Sequence, residues 1–277
     1  GRLNDIMDSG RLGELILISE ALHEKKIASI ADMIKLSQPG KKVILIAGPS
    51  SSGKTTFAQR LSIQLRVNGL VPLNISTDNF FVDKTRTPRD EEGKPDYESL
   101  ETVDVELFNR DVNILLEGGE VELPTFNFST GKREYNSGKL KLLDGQVLVI
   151  EGIHALNPRL TSEIKEENKF KIYVSAITSM RIDMHNRIPT TDLRLLRRIV
   201  RDNRFRGTPV PKTIDMWPGV RKGEERNIFP FQEEADVMFN SSLVYELLVI
   251  KTVALPLLQK VTQDMPQYAE ARRLIEF

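Results

Sequence analysis

The chain has no cysteine at all and only three histidines, His23, His154 and His185, in 277 residues. The first absence excludes disulfides, thiolate metal sites and cysteine nucleophiles together, and the second argues against a histidine-rich metal cage. Neither sign of charge is in excess: Lys plus Arg and Asp plus Glu both number 39. No global field therefore points to nucleic acid or to a membrane surface as partner. No apolar run reaches the length of a membrane span, the longest candidate near the C-terminus being interrupted by Glu246 and Lys251. A signal-peptide pattern is also missing at the N-terminus, which makes the cytoplasm the expected location. What the length allows is a sizeable core, in one large domain or a domain with a small appendage.

Against these absences stands residues 48–56, GPSSSGKTT. The stretch fits the phosphate-loop pattern G-x-x-x-x-G-K-[ST], with Gly48, Gly53, Lys54 and Thr55 at the fixed positions. Residues 42–47 (KVILIA) before it are an apolar, β-branched run of strand length, and residues 57–65 after it have helical apolar spacing. Between them, the turn that holds Pro49, Ser50, Ser51, Ser52 and Thr56 can point successive backbone N–H groups, other than at Pro49, inward at phosphate oxygens, aided by the helix N-terminus. Lys54 then reaches the β- and γ-phosphates of a nucleoside triphosphate, and the Thr55 hydroxyl ligates Mg²⁺.

Residues 1–40 read as a helical lead-in, since Ile27, Ile30, Ala31 and Ile34 form a stripe at i, i+3, i+4 and i+7. The main domain is expected over 41–277. Strands are expected at 71–76, 146–151, 170–175 and 235–239, with a helix near 104–116. Residues 121–126 and 139–143 look like the two strands of a hairpin. Strands alternating with helices imply an α/β protein with a mainly parallel sheet covered on both faces.

A phosphate loop does not by itself separate a kinase from an ATPase or a switch protein. Asp78 lies just past the carboxyl end of the 71–76 strand, the edge where ligands bind in open α/β sheets. A carboxylate there can take the proton of an attacking hydroxyl, although a turn or helix-capping aspartate fits that position equally well. Glu151 follows four buried-type residues and suits an acid that holds Mg²⁺ opposite Thr55. Six arginines fall between 194 and 206, and Arg194, Arg197, Arg198 and Arg201 share one helical face. Such a cluster can close as a lid over phosphates. An RNA-binding stripe is the competing reading, weakened by the lack of an exposed aromatic series for base stacking.

Together the phosphate loop, residues 78–81 (DNFF), 124–128 (PTFNF), Glu151-Gly-Ile, and the run from Arg197 to Gly207 resemble the uridine kinase / phosphoribulokinase family of P-loop kinases. The resemblance spans residues 41 to about 255. It implies a three-layer P-loop NTPase fold with a β-hairpin insertion and an arginine-rich helical lid. It also implies ATP as donor, Mg²⁺, and a small-molecule hydroxyl as acceptor, with homo-oligomerisation left open. Asp78 becomes the base, Lys54 the donor-phosphate ligand, and Arg201 and Arg206 the lid cations. Phe81, Tyr97, Glu98, Phe126, Phe128 and Arg133 fall on the acceptor side, Glu98 toward ribose hydroxyls. Departures are also visible. Phe81 stands where uridine kinases carry Tyr, Gly131 where they carry a base-reading His, and Thr208 where their lid has a second Arg. A nucleoside such as uridine is first in line as acceptor, but the groups that would read its base are missing. A sugar or polyol kinase and a nucleotide-dependent RNA-associated protein remain as alternatives. The helical lead-in and the start on Gly1 fit a chain preceded by a further segment, synthetase-like in some uridine kinase-like proteins.

Overall fold

The computed structural model describes residues 10–38, 40–178 and 189–276. The first residues of the lead-in and His185 lie outside them. In chain order the helices and strands are α1 (Leu12–Leu36), β1 (Val43–Ala47), α2 (Lys54–Val67), β2 (Val71–Ser76), α3 (Val105–Leu116) and β3 (Glu120–Glu122). Then come β4 (Thr125–Asn127), β5 (Lys132–Glu134), β6 (Lys139–Lys141), β7 (Gln146–Glu151) and β8 (Lys169–Ser175). The chain continues through α4 (Thr190–Arg206), α5 (Val210–Asn227), β9 (Val237–Asn240), α6 (Glu246–Leu258) and α7 (Tyr268–Ile275). Contacts divide it into two compact units, one of residues 30–175 and 218–239, the other of residues 1–29, 176–217 and 240–277. This partition runs through the lead-in helix α1.

The larger unit is organised on a five-stranded sheet of order β2-β7-β1-β8-β9. β1 pairs in parallel with β7 and with β8, and β2 in parallel with β7. β1 is central and all five of its residues are buried, as a near-continuous apolar run in a parallel sheet requires. Pro72 lacks the N–H for a second ladder, and it sits on the edge strand β2. The core beneath gathers Val43, Leu45, Phe80, Phe108, Leu148 and Ile150. Phe80 meets Phe108 edge-on with centroids 5.3 Å apart.

The expected hairpin proves to be two. β3 pairs antiparallel with β6, and nested within their connection β4 pairs antiparallel with β5. A single strand over 121–126 does not form, and Pro124 explains the break. Its ring removes a ladder donor, so the chain leaves one ladder and starts the next.

In the smaller unit, α4 packs with α6, and α7 with α6. The Arg273 guanidinium on α7 grips Asp192 on α4 with two hydrogen bonds of 2.8 Å. No helix among the described residues is long and apolar enough to cross a membrane.

Candidate active site

The phosphate loop connects β1 to α2, as the motif requires. Lys54 opens α2 and its ammonium closes the loop on itself, donating to the carbonyls of Gly48 at 2.8 Å and Pro49 at 3.2 Å. Thr55 follows on the same helix turn, and its Oγ1 donates to Glu151 Oε2 at 3.4 Å. From the other side Ser76, the last residue of β2, donates its hydroxyl to Glu151 Oε1 at 3.0 Å. The ends of β2 and β7 are in register, Ser76 opposite Glu151, so backbone pairing alone brings these groups together. Ser76 stands two residues before Asp78 in the sequence, but its bond to Glu151 is visible only once the strands are paired.

Asp78 lies on the single 3₁₀ turn Thr77–Phe80 that follows β2, with its N–H on the Ser76 hydroxyl at 3.4 Å. Gly152 makes that turn's position feasible. A Cβ there would collide with the Thr77 hydroxyl, so the glycine after Glu151 lets the turn close down on the end of β7. Burial pushes the Glu151 carboxyl above its usual range; the Lys54 charge opposes the shift and the negative charge of Asp78 reinforces it. Two carboxylates that feel each other beside one ammonium make a strongly polarised pocket. Thr55 and Glu151 offer only oxygen donors, which suits a hard cation such as Mg²⁺. Among the described residues no cluster of three or more His, Asp or Glu could hold a metal unaided.

The same turn leads into the expected acceptor side. Phe81 lines a cavity of about 180 Å³ together with Tyr97, Phe126, Phe128, Lys84 and Thr102. Three phenyl rings meet edge-to-face there, with centroids 5.6 Å apart for Phe81 and Phe126, 6.4 Å for Phe81 and Phe128, and 5.2 Å for Phe126 and Phe128. Gly131 also lines it and leaves no room for a side chain, because the Lys84 stem lies where a Cβ would go.

Two expected acceptor residues do not line this cavity. Arg133 is committed to the scaffold instead: it pairs with Asp104 at 3.1 Å and donates to the carbonyls of Phe80 and Phe81 at 3.1 Å each. Asp104 also caps α3 by accepting the Leu107 N–H at 3.1 Å, so Arg133 ties β5, the turn after β2 and α3 together. Glu98 is buried, its carbonyl accepting from Asn227 at 3.0 Å. An arginine on a short strand reads as a ligand group until its acidic partner, 29 positions away, is known.

Arg201 and Arg206 are carried by α4 in the smaller unit. Asp202 gathers that end of the helix, pairing with Arg201 at 2.8 Å, Arg198 at 3.3 Å and Arg206 at 3.7 Å. Two other members of the arginine face serve the fold. Arg194 is buried with its guanidinium 5.3 Å from the Trp217 ring centre. Arg197 holds Glu246 of α6 through bonds of 2.5 and 2.7 Å and donates to Ser241 as well. Arg194 and Arg197 are thus committed within this unit, while Arg204 and Arg206 at the C-terminal end of the helix are exposed.

A phosphate loop after a central strand, with acids at the carboxyl ends of two neighbouring parallel strands, is the arrangement of P-loop kinases. Within that class the chain belongs to the Phosphoribulokinase / Uridine kinase family, whose model matches residues 43–246. It is 28% identical over 207 residues to a uridine kinase of Lactobacillus helveticus, covering 74% of this chain and 88% of that one. A uridine kinase of Macrococcus caseolyticus is 28% identical over 218 residues, covering 77% and 96%. Among solved structures, a candidate fructose transport system kinase from Silicibacter sp. TM1040 superposes with a TM-score of 0.56 at 18% identity, covering 77% and 98%. The last likeness is one of fold. The protein is a phosphotransferase acting on a hydroxyl group.

Proposed function

We propose that the protein transfers the γ-phosphoryl group of ATP to a hydroxyl of a nucleoside-like small molecule, with Mg²⁺ as cofactor. The observation that carries this reading is the turn Thr77–Phe80, which holds Asp78 beside Glu151 at one end and runs into the wall of the aromatic cavity at Phe81. Donor and acceptor sides thus share one four-residue element. Residues 48–56 wrap the donor phosphates, and Lys54 lies on their β and γ groups. Thr55 and Glu151 hold Mg²⁺, which when bound neutralises charge on the phosphate oxygens. Asp78 accepts the hydroxyl proton as the acceptor oxygen bonds to the γ-phosphorus and the bond to the leaving ADP oxygen breaks. Arg201 and Arg206 neutralise the group in transit. Most of the acceleration comes from positioning and electrostatics.

Flat aromatic walls favour a heterocyclic acceptor over a bare polyol, because ring faces and edges gain most from another ring. Phe81 and Gly131 supply no polar group to the base, so two contacts that the family resemblance implies are missing, although Lys84, Thr87 and Thr102 remain in the cavity wall. Missing one hydrogen bond costs about 0.5–1.5 kcal/mol where water can replace it, and more where a polar edge is buried unpaired. Uridine is therefore expected to be a poor acceptor and discrimination among nucleosides to be weak. A coupled ADP-release assay with uridine, cytidine, other nucleosides and a panel of polyols at matched concentration tests this. Comparable slow turnover of several nucleosides supports the reading. A uridine kcat/KM near 10⁵ M⁻¹s⁻¹, inside the roughly 10⁴–10⁸ range of good enzymes, overturns the specificity argument, and turnover of polyols alone overturns the nucleoside one.

A further inference from the structure

Beyond Pro218, helix α5 belongs to the unit that holds the phosphate loop. There Glu224 is fully buried, and its Oε1 accepts the backbone N–H of Ser50 at 3.0 Å, a contact spanning 174 positions. Its other oxygen is held by Arg221 at 3.0 Å. The Arg221 guanidinium in turn lies 5.3 Å from the Phe229 ring centre. Next to Glu224, Gly223 is pressed so closely against Glu98 that a Cβ at 223 would strike the Glu98 side chain. One turn on, Asn227 donates to the Glu98 carbonyl at 3.0 Å. Positions 223, 224 and 227 fall along one side of the helix.

A buried carboxylate against a loop shaped to receive polyanions works against anion binding through simple repulsion. Its placement makes sense if the hydrogen bond it accepts matters more than its charge. The N–H it takes belongs to the residue before Ser51, whose φ of 60° is left-handed although it carries a side chain. Such a conformation persists only where its flanks are held. On one flank the start of α2 does this; on the other, Glu224 does. Arg221 offsets the charge.

We propose that Glu224 is a positioning residue that sets the phosphate loop in its anion-receiving shape through Ser50, while Gly223 and Asn227 on the same helix hold the 97–99 acceptor loop in step with it. The inference rests on reading residues 48–56 as the nucleotide site. Its test is ATP affinity by isothermal titration for the wild type and for Glu224→Ala, Glu224→Gln and Glu224→Asp, with thermal melts alongside. Alanine removes the acceptor and should weaken ATP binding by about 10–100-fold, the range for a lost hydrogen bond to a charged group. Glutamine keeps an oxygen at the same reach and should bind within about threefold of wild type. Aspartate keeps the charge but is one methylene short, and should resemble alanine. Asn227→Ala should raise the acceptor KM while leaving ATP affinity unchanged. Wild-type affinity in Glu224→Ala, or glutamine as damaging as alanine, overturns the proposal. Should alanine fail to fold, the glutamine–aspartate comparison decides it, aspartate binding as well as glutamine being the contrary result. A wild type that binds no ATP sinks the nucleotide site itself, whereas a binding wild type with indifferent variants sinks only the positioning role.

Discussion

At the carboxyl ends of β1, β2 and β7, polar side chains of the candidate donor site are tied to neighbours: Lys54 to the loop carbonyls, Thr55 and Ser76 to Glu151. The acceptor side is made differently. Its cavity draws on the inner of two nested hairpins, and four aromatic rings face it together with Lys84, Thr87 and Thr102. Long parallel strands determine side-chain positions through register, so the donor end can be specified by a few residues at set spacings. Short hairpins determine little alone and take their shape from what they pack on, here Arg133 reaching across to Asp104 and the Phe80 and Phe81 carbonyls.

That contrast is sharpest in Lys54→Ala. It should leave turnover undetectable with every acceptor, because the cation facing the donor phosphates is gone, and titration should show weakened ATP binding. Unchanged affinity and turnover would remove the loop from the chemistry. Next in size is Asp78→Asn, which keeps the shape but cannot take a proton. Steady-state rates should fall by roughly two to four orders of magnitude at nearly constant ATP affinity, and rates within a few-fold of wild type would make Asp78 a turn residue.

Glu151→Gln should raise the Mg²⁺ concentration for half-maximal rate by about 10–100-fold, again for all acceptors alike. Phe126→Ala tests the other side of the comparison. Each ring contact contributes about 0.5–1.5 kcal/mol, so its loss should raise acceptor KM by roughly 2–12-fold and leave the KM for ATP in place. A matching change in both constants would mean that the two ends are not separable.

The last effect concerns stability rather than rate. His154 is fully buried three residues past Glu151, and burial, seconded by the Lys54 charge, lowers its pKa to about 4 against the pull of Glu101. Between that value and the ordinary one near 6.5, the unfolded chain binds a proton that the folded one refuses. Stability therefore rises with pH through this window and is lost as pH falls through it. The contribution lost on full protonation is ~3 kcal/mol. His154→Gln should flatten the melting temperature between pH 6.5 and 4 relative to wild type while leaving neutral-pH turnover within a few-fold, and an unchanged slope would exclude His154 as its source.

Several elements are legible in the amino-acid sequence alone. β2 and β7 fall at 71–76 and 146–151 as expected, and the 27–30–31–34 stripe of α1 is buried. Each is a local pattern of apolar spacing that backbone geometry turns directly into structure. The arginine run shows where such reading ends. Equal spacing on α4 gives no way to tell Arg194 and Arg197, bound to Trp217 and Glu246, from Arg201 and Arg206 at Asp202. Glu224, likewise, is by spacing one charge among several on a helix, and only its bond to Ser50 sets it apart.

By itself the amino-acid sequence determined the phosphate loop, the strand that feeds it, the helix that leaves it and the acids at two strand ends. All of these depend on neighbours within a few residues, and on a register that alternation and strand length impose. Only the tertiary structure decided that Arg133 is a brace, that Gly131 is filled by the Lys84 stem, that the hairpin is two, and that α5 reaches both the loop and Glu98. These depend on pairs of groups tens to hundreds of positions apart, and a side chain's role follows from its partner, which sequence spacing does not name.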